Sequence, residues 1–295
     1  QSHSRRYGIV GSSAPLLNAV SELERVAHSN ANVLLLGENG TGKEMFARTL
    51  HTAGRRVGQP FIKVACNGAD NDTLGREIFG QGEEGGLLEQ ADGGTIFFDE
   101  IAALDADLQS RLLHVLQNNA VQRLDCGKAR IINVRIITAT TRDLAAEVES
   151  GRFDPDLYYR LYVVPIHLPT LRERRSDIPE LVAYFMHRIN RETGKNVNLT
   201  TEAVEQLQYY SWPGNVFELE RFLHELAKQS EGNIADEHQV WRLLNLQSAK
   251  PVPAVASSAP RCPPSSHRPP CCSRSGMPRP PTPPTRIWFW APRPA

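Results

Sequence analysis

The chain has 295 residues, and its 33 Lys and Arg balance its 33 Asp and Glu. The balance is uneven, because residues 249–295 hold seven basic residues, no acidic residue and 14 of the 21 prolines. The remaining body therefore sets 26 basic residues against 33 acidic ones, which argues against a broad nucleic-acid-binding surface.

No stretch approaches the roughly 18 apolar residues of a membrane span, and residues 1–7 lack the apolar core of a signal peptide. The two cysteines of the body, Cys66 and Cys126, are typical of small buried residues in a reducing compartment. We therefore expect a cytoplasmic protein that makes no membrane contact.

Helical and extended patterns alternate through the first 170 residues. Apolar residues at helical spacing predict a helix over 14–28, and the apolar run 33–36 predicts a buried strand. Further along we predict a helix over 44–52, a strand over 61–64, a helix ending near Phe79, a strand over 95–99, a helix over 105–117, and strands over 134–140 and 163–166. This alternation predicts an α/β fold with a parallel sheet covered by helices on both faces.

Only helical patterns follow Leu171, over 177–191, 201–210 and 215–229. The expected organisation is an α/β nucleotide-binding subdomain over 8–171 and a small helical lid over 172–247. Residues 248–295 are rich in Pro, Ser and Arg, and we expect them to be disordered or polyproline-like.

A glycine-rich loop joins the first strand to the next helix. Its residues are Gly37, Glu38, Asn39, Gly40, Thr41, Gly42 and Lys43. A strand that leads through such a loop into a helix N-terminus aims backbone N–H groups and the helix dipole at one anionic group. We predict that the loop binds a nucleotide phosphate; the alternative is a chance glycine turn, which the flanking strand and helix disfavour.

The residue after Lys43 is Glu44, where the general pattern has a Ser or Thr that reaches Mg²⁺. We include Glu44 among the nucleotide-contacting residues but expect metal ligation to depend on another side chain.

Two adjacent carboxylates end the strand over 95–99. Asp99 is placed to hold Mg²⁺, and Glu100 is placed to orient or deprotonate the water that attacks the γ-phosphate. The competing interpretation is an acidic turn before the helix that starts near Asp105. The order of phosphate loop and acidic strand end favours the first interpretation and predicts ATP and Mg²⁺ as cofactors.

Five motifs occur in order within residues 8–245, at 37–44, 91–101, 156–161, 168–174 and 212–216. Together they resemble the central AAA+ domain of bacterial enhancer-binding proteins, the sigma-54-dependent transcription activators. The resemblance implies an AAA+ P-loop fold with a helical lid, in which ATP binds at the seam between subunits of a ring.

The resemblance also implies roles for single residues. Lys43 would contact the β and γ phosphates, Asp99 would serve Mg²⁺, Glu100 would act on the attacking water, and Arg160 would be an arginine finger acting on the neighbouring subunit. The implied partners are other copies of the chain, as a hexamer or dimer, and the transcription machinery. We expect DNA contact only through a domain that this chain lacks.

Several positions depart from the family pattern. The GAFTGA loop that engages sigma-54 would fall between Gly80 and Ala91, where the chain reads only QGEEGGLLEQ. Other departures are Ala65 for an Asn that restrains the catalytic glutamate, Thr141 for a sensor Asn, Asp154 for the first arginine finger and Phe217 for the lid arginine.

An arginine finger contributes on the order of 10³ to 10⁵ in rate. We therefore predict that the domain binds ATP or ADP with Mg²⁺, hydrolyses ATP slowly or not at all, and does not remodel sigma-54. One alternative is a working ATPase that uses Arg160 as its sole finger and Thr141 as its sensor. Another is a site for a different anionic nucleotide, because loop N–H groups do not read the base.

Overall fold

The computed structural model describes residues 7–68, 70–124, 128–230, 232 and 234–248. The predictions for the proline-rich tail and for Cys126 fall outside these residues. The strands are β1 Val33–Leu36, β2 Phe61–Ala65, β3 Gly80–Gln81, β4 Glu84–Gly85, β5 Thr95–Asp99, β6 Ala120–Gln122, β7 Ala129–Ile131, β8 Arg135–Thr140, β9 Val164–His167, β10 Asn198–Leu199 and β11 Ile234–Ala235. The helices are α1 Ala14–Ala27, α2 Lys43–Thr52, α3 Asn71–Phe79, α4 Leu87–Gln90, α5 Ala106–Asn118, α6 Leu144–Glu149, α7 Pro155–Leu161, α8 Ile178–Thr193, α9 Thr201–Tyr209, α10 Asn215–Gln229 and α11 Glu237–Ser248.

Five parallel strands form the central sheet in the order β2, β5, β8, β1, β9. Side chains of β1 alternate between two apolar cores, with Leu34 packed in one and Val33 and Leu35 in the other. Helices α3 and α5 contribute to the first core, whereas α1 and α2 contribute to the second. The predicted parallel sheet with helices on both faces is therefore confirmed.

Parallel pairing brings the carboxyl ends of the strands to one edge of the sheet. Gly37 follows β1, Glu100 follows β5 and Thr141 follows β8, which is the strand between them. Ligand sites of open α/β sheets lie at this edge.

Sequence patterns did not predict α11, which has 12 residues and buries Val240 and Leu243, or several short elements, including the two-residue strands β10 and β11 after Leu171. Helix α7 has seven residues and begins at Pro155, and the Asp154 carboxylate accepts a hydrogen bond from Leu157 N at 2.8 Å. An aspartate cap followed by proline is a typical helix start. Asp154 therefore has a structural role in this chain.

The segment after α3 turns back at once. Strands β3 and β4 pair in an antiparallel hairpin, with Gly80 opposite Gly85 and Gln81 opposite Glu84. Gly82 and Glu83 form the turn, and α4 begins two residues after β4. The hairpin occupies the interval in which the resemblance implies a longer loop.

Helices α8 to α11 enclose a separate apolar core. Trp212 is fully buried there, donates a hydrogen bond from its Nε1 to Leu207 O at 2.7 Å, and contacts the Phe222 ring edge to face. The helices around this core form the predicted helical lid. Of the described helices, none combines the length and apolar character that crossing a bilayer requires.

The lid rests directly on the phosphate loop. Val216 N donates a hydrogen bond to Gly40 O at 3.0 Å, and a Cβ atom added to Gly40 would overlap the carbonyl oxygen of Gly214. Gly40 also has a φ of 77°, which disfavours other residues. Two separate effects therefore disfavour a side chain at position 40: the positive φ of the backbone and the steric overlap with the lid.

We expect Gly40→Ala to destabilise the protein more than Gly42→Ala, as measured by chemical denaturation. Gly42 has a φ of 103° but open space around its Cβ position, so it isolates the backbone cost of about 1–2 kcal/mol. The free energy of unfolding of Gly40→Ala should fall by this amount and by a further contribution from the overlap with Gly214. Equal losses for the two variants would show that the lid contact does not depend on Gly40.

Candidate nucleotide-binding site

The phosphate loop surrounds the Lys43 side chain. Lys43 opens α2, and its Nζ donates to Gly37 O at 2.7 Å and to Glu38 O at 3.1 Å. Thr41 Oγ1 donates to Glu38 O at 2.8 Å, which closes the loop on itself. Burial lowers the pKa of Lys43, and the nearby carboxylates of Glu100 and Asp99 oppose this shift.

A cavity of about 460 Å³ adjoins this loop, within the size range of small-molecule sites. One wall is the segment 8–10, and another comes from lid helices α8 and α10, including Leu181, Phe185 and Val216. The loop end of the cavity carries backbone N–H groups, whereas the lid helices contribute these apolar side chains together with Tyr184, Arg188 and Glu220. This combination suits a ligand with a flat apolar ring and an anionic tail.

Asp177 fastens the wall formed by segment 8–10 to the lid. Its buried carboxylate accepts hydrogen bonds from Ser12 N at 2.9 Å, Ser13 N at 2.8 Å and the Ser13 hydroxyl at 2.5 Å. The segment before α1 and the segment before α8 are thereby held together. Motion of the lid would therefore also move this wall of the cavity.

Glu38, which we predicted as a nucleotide ligand, contacts the lid. Its carboxylate accepts hydrogen bonds from Arg172 Nη1 at 2.9 Å and from Asn215 Nδ2 at 3.1 Å. The Arg172 hydrogen bond holds the pKa of Glu38 below its ordinary value, with Asn215 adding to the effect. Asn215 also donates to Asn39 O at 2.9 Å, so one amide spans loop and lid.

Glu100 lies at the carboxyl end of the sheet in a left-handed backbone conformation, with a φ of 60°. Its Oε2 accepts hydrogen bonds from Thr141 Oγ1 at 2.9 Å and from Thr141 N at 3.2 Å. Its Oε1 lies 3.6 Å from Lys43 Nζ and has no hydrogen-bond partner among the described residues. The structure thus brings Lys43, Glu100 and Thr141 together.

Asp99 is paired with a residue that sequence reasoning missed. Lys63 Nζ, on β2, lies 3.1 Å from Asp99 Oδ2 and 2.6 Å from Glu44 Oε2. Arg48 Nη2 also pairs with Glu44 Oε1, at 2.8 Å. Lys63 lies two residues before the end of β2. This position predicts an ion pair with Asp99 only once β2 is known to neighbour β5.

The carboxylates fit a hard divalent cation. Mg²⁺ takes oxygen ligands and is commonly held by one or two carboxylates together with phosphate oxygens. Asp99 and Glu44 offer such oxygens, and Glu100 offers a buried oxygen without a hydrogen-bond partner among the described residues. Within the described ranges no group of three or more His, Cys, Asp and Glu could hold a metal ion.

Arg160 lies away from its own phosphate loop. Its backbone oxygen accepts a hydrogen bond from Asn32 Nδ2 at 3.1 Å. Asn32 precedes β1 and Gly37 follows it, so Arg160 is at the opposite end of this strand from the loop. Phe217 does line the cavity and is 66% exposed, where the resemblance implies an arginine.

The sequence was compared with known protein families and relatives. The model described as the sigma-54 interaction domain matches residues 9–167, and that described as the AAA+ ATPase lid domain matches residues 172–255. Regulatory protein LuxO of Vibrio cholerae is 39% identical over 235 residues, covering 76% of this chain and 52% of LuxO. The Nif-specific regulatory protein of Azotobacter vinelandii is 42% identical over 233 residues, covering 76% of this chain and 44% of that protein. The chain thus spans about half the length of these curated relatives.

Solved structures give the same result for the fold. NtrX from Brucella abortus in complex with ATP superposes with a TM-score of 0.75 at 31% identity, covering 82% of this chain and 58% of NtrX. The RuvB Holliday junction branch migration motor of Thermotoga maritima has a TM-score of 0.54 at 16% identity, covers 80% of this chain and 70% of RuvB, and supports the fold alone. The resemblance carried by the five motifs is confirmed, and the chain belongs to the sigma-54 interaction domain family of AAA+ proteins.

Proposed function

We propose that this chain is the nucleotide-binding AAA+ module of a bacterial transcription regulator. It binds ATP or ADP with Mg²⁺, hydrolyses ATP slowly or not at all, and does not itself remodel sigma-54. The observation that carries the proposal is the loop from Gly37 to Lys43, which opens into the lid-covered cavity of about 460 Å³. NtrX, a relative with 31% identity, was crystallised with ATP, which supports the same ligand class here.

Binding follows from the chain's own groups. The N-terminus of α2 presents backbone N–H groups to phosphate oxygens, and the Lys43 ammonium adds a positive charge. The apolar wall formed by Ile9, Leu181 and Val216 would exclude water from the base. Mg²⁺ would supply further positive charge between the phosphates and Asp99.

Slow hydrolysis is proposed from what surrounds Glu100. A general base needs a free lone pair directed at the attacking water. Glu100 Oε2 accepts two hydrogen bonds from Thr141, and Oε1, which has no hydrogen-bond partner among the described residues, lies 3.6 Å from the Lys43 ammonium. Phe217 brings an apolar ring to the cavity where an arginine is expected, and Asp154 caps a helix where a finger is expected. Two positions where the family pattern has a cation are thus filled by other residues, which removes positive charge that would stabilise a phosphoryl transition state.

The short β3–β4 hairpin supports the absence of sigma-54 remodelling. Its two-residue turn at Gly82 and Glu83 offers no extended loop, and Glu83 and Glu84 make it acidic. We propose that the output of nucleotide binding is instead an assembly state, formed by copies of this chain in a ring or dimer. Such an assembly would position sensory or DNA-binding parts of the full regulator.

The second candidate function is an active ATPase. It is favoured by one observation: Arg160 is exposed and lies at the far end of β1 from its own loop, so it is available to a neighbouring subunit. In this case Arg160 would be the sole finger, and Thr141 would act as the sensor of the γ-phosphate.

We expect Lys43→Ala to weaken ADP binding about 10-fold to 100-fold in isothermal titration calorimetry with Mg²⁺. The reason is the loss of charge-assisted hydrogen bonds to phosphate, each contributing about 1.5–3 kcal/mol. Arg160→Ala is the control and should bind ADP like the wild type when the protein is monomeric. Absence of ADP or ATP binding by the wild-type chain at millimolar concentration contradicts the proposal, and competition with GTP and CTP tests whether the base is adenine.

We expect Glu100→Gln to change phosphate release little, because the wild-type rate should already be close to background. Steady-state phosphate release would be measured for wild type, Glu100→Gln and Arg160→Ala across a range of protein concentrations. A wild-type rate that rises with oligomer formation and is abolished in both variants would support the ATPase alternative instead.

A further inference from the structure

Two carboxylates next to the phosphate loop share one lysine. Lys63 Nζ lies 2.6 Å from Glu44 Oε2 and 3.1 Å from Asp99 Oδ2. Glu44 belongs to the first turn of α2, directly after Lys43, and Asp99 ends β5. Both carboxylates are thus neighbours of the position where a nucleotide phosphate and its metal would bind.

The sheet explains why Lys63 reaches this place. Strands β2 and β5 are parallel neighbours, and Ala65 pairs in register with Asp99. Side chains two residues apart in a strand point to the same face, so Lys63 and Ala65 share one face of β2. Ala65 carries only a methyl group, which leaves room for the Lys63 side chain to extend along the strand toward Asp99.

We propose that the Lys63 ammonium is a built-in counter-cation of the nucleotide site, which competes with Mg²⁺ for Asp99 and makes nucleoside diphosphate binding weakly dependent on the metal. The proposal rests on the proposed nucleotide binding and specifies how that site treats its metal. In this proposal Lys63 does not contact the nucleotide but determines how strongly nucleotide binding depends on Mg²⁺.

The charges around the site explain the expected effect. Ion pairs join Lys43, Lys63 and Arg48 to Glu44, Asp99 and Glu100. These three cations and three anions make the cluster close to neutral without a metal. A diphosphate can therefore approach Lys43 without meeting an excess of negative charge.

Removal of the Lys63 charge changes this balance in two ways. Without metal, Asp99 loses its ion-pair partner while Glu44 keeps only Arg48, so the cluster carries one excess negative charge that repels phosphate. With Mg²⁺, the metal no longer competes with an ammonium only a few ångströms from its ligand, and like-charge repulsion at such a distance is substantial. Metal-free affinity should fall while affinity with Mg²⁺ is kept or rises.

The test is the ratio of ADP dissociation constants in EDTA and in excess Mg²⁺, measured by calorimetry on the whole chain. We expect a ratio below about 10 for the wild type and a ratio at least about 10-fold larger for Lys63→Met, which keeps the side-chain length. Lys63→Arg keeps the charge and should retain a ratio close to that of the wild type.

Arg48→Gln is the matched control. Arg48 pairs with the same Glu44 at 2.8 Å, is more than half exposed, and is not the ion-pair partner of Asp99, which is Lys63, so its removal should leave the ratio within about threefold of the wild type. Binding of Mn²⁺ to the protein–ADP complex, followed by electron paramagnetic resonance, provides a second readout. It should be stronger for Lys63→Met than for wild type, and thermal melting would establish that each variant is folded.

The outcomes separate the two proposals. ADP binding with an equal ratio in wild type and Lys63→Met overturns the counter-cation role and leaves the nucleotide site standing. An equal shift in Lys63→Met and Arg48→Gln also overturns it, because a general charge effect would then suffice. No ADP binding by the wild type in either condition overturns the proposed function and this inference together.

Discussion

The contact between the Gly40 backbone and the lid turn at Gly214 is the constraint on which the site depends. The phosphate loop of this chain is not a free turn, because its carbonyl at Gly40 accepts a hydrogen bond from Val216 N at 3.0 Å. Asn215, fully buried and with a φ of 52°, donates a hydrogen bond from Nδ2 to Asn39 O in the loop and accepts one at Oδ1 from Leu171 N. The loop conformation and the lid position are therefore set by the same backbone atoms, and a ligand that reshapes the loop must also shift the lid.

The polar groups of the site are arranged in pairs of opposite charge. Glu38 pairs with Arg172, Glu44 and Asp99 share Lys63, and Glu100 lies between Lys43 and Thr141. The Lys43–Glu100 pair is largely buried and lowers the cost of burying its charges near the sheet edge, and all of these pairs reduce the charge available to a phosphate. Charges that are paired within the chain are therefore less able to stabilise charge on a bound nucleotide. This is the physical basis for separating nucleotide binding from hydrolysis in our proposal.

Local sequence was sufficient for the elements whose determinants lie close together in the chain. The strand 33–36, the loop and α2 follow from an apolar run, glycines and helical spacing, and the structure has them at the predicted place. The bridge by Lys63 was not predictable in this way, because it depends on β2 being next to β5, and strand order is a property of the whole sheet. The cap at Asp154 was predictable in principle, since Asp followed by Pro is a helix start, but α7 is too short for a periodic pattern. Glu38 and Arg172 form an ion pair although they are 134 positions apart in the sequence. No local sequence pattern predicts such a pair.

The position of Arg160 has a consequence for the unit that binds nucleotide. A side chain at the amino end of β1 cannot reach a phosphate at the carboxyl end of the same strand, because the four residues of β1 span about 13 Å. If Arg160 acts on a nucleotide, that nucleotide belongs to a second copy of the chain. The lid and N-terminal segment close the cavity from within one copy, through Asp177 and Gly214, whereas the exposed end of α7 belongs to another surface. Under the proposed function, nucleotide binding can therefore be complete in a single chain, whereas any contribution from Arg160 requires assembly, so only that contribution would depend on protein concentration.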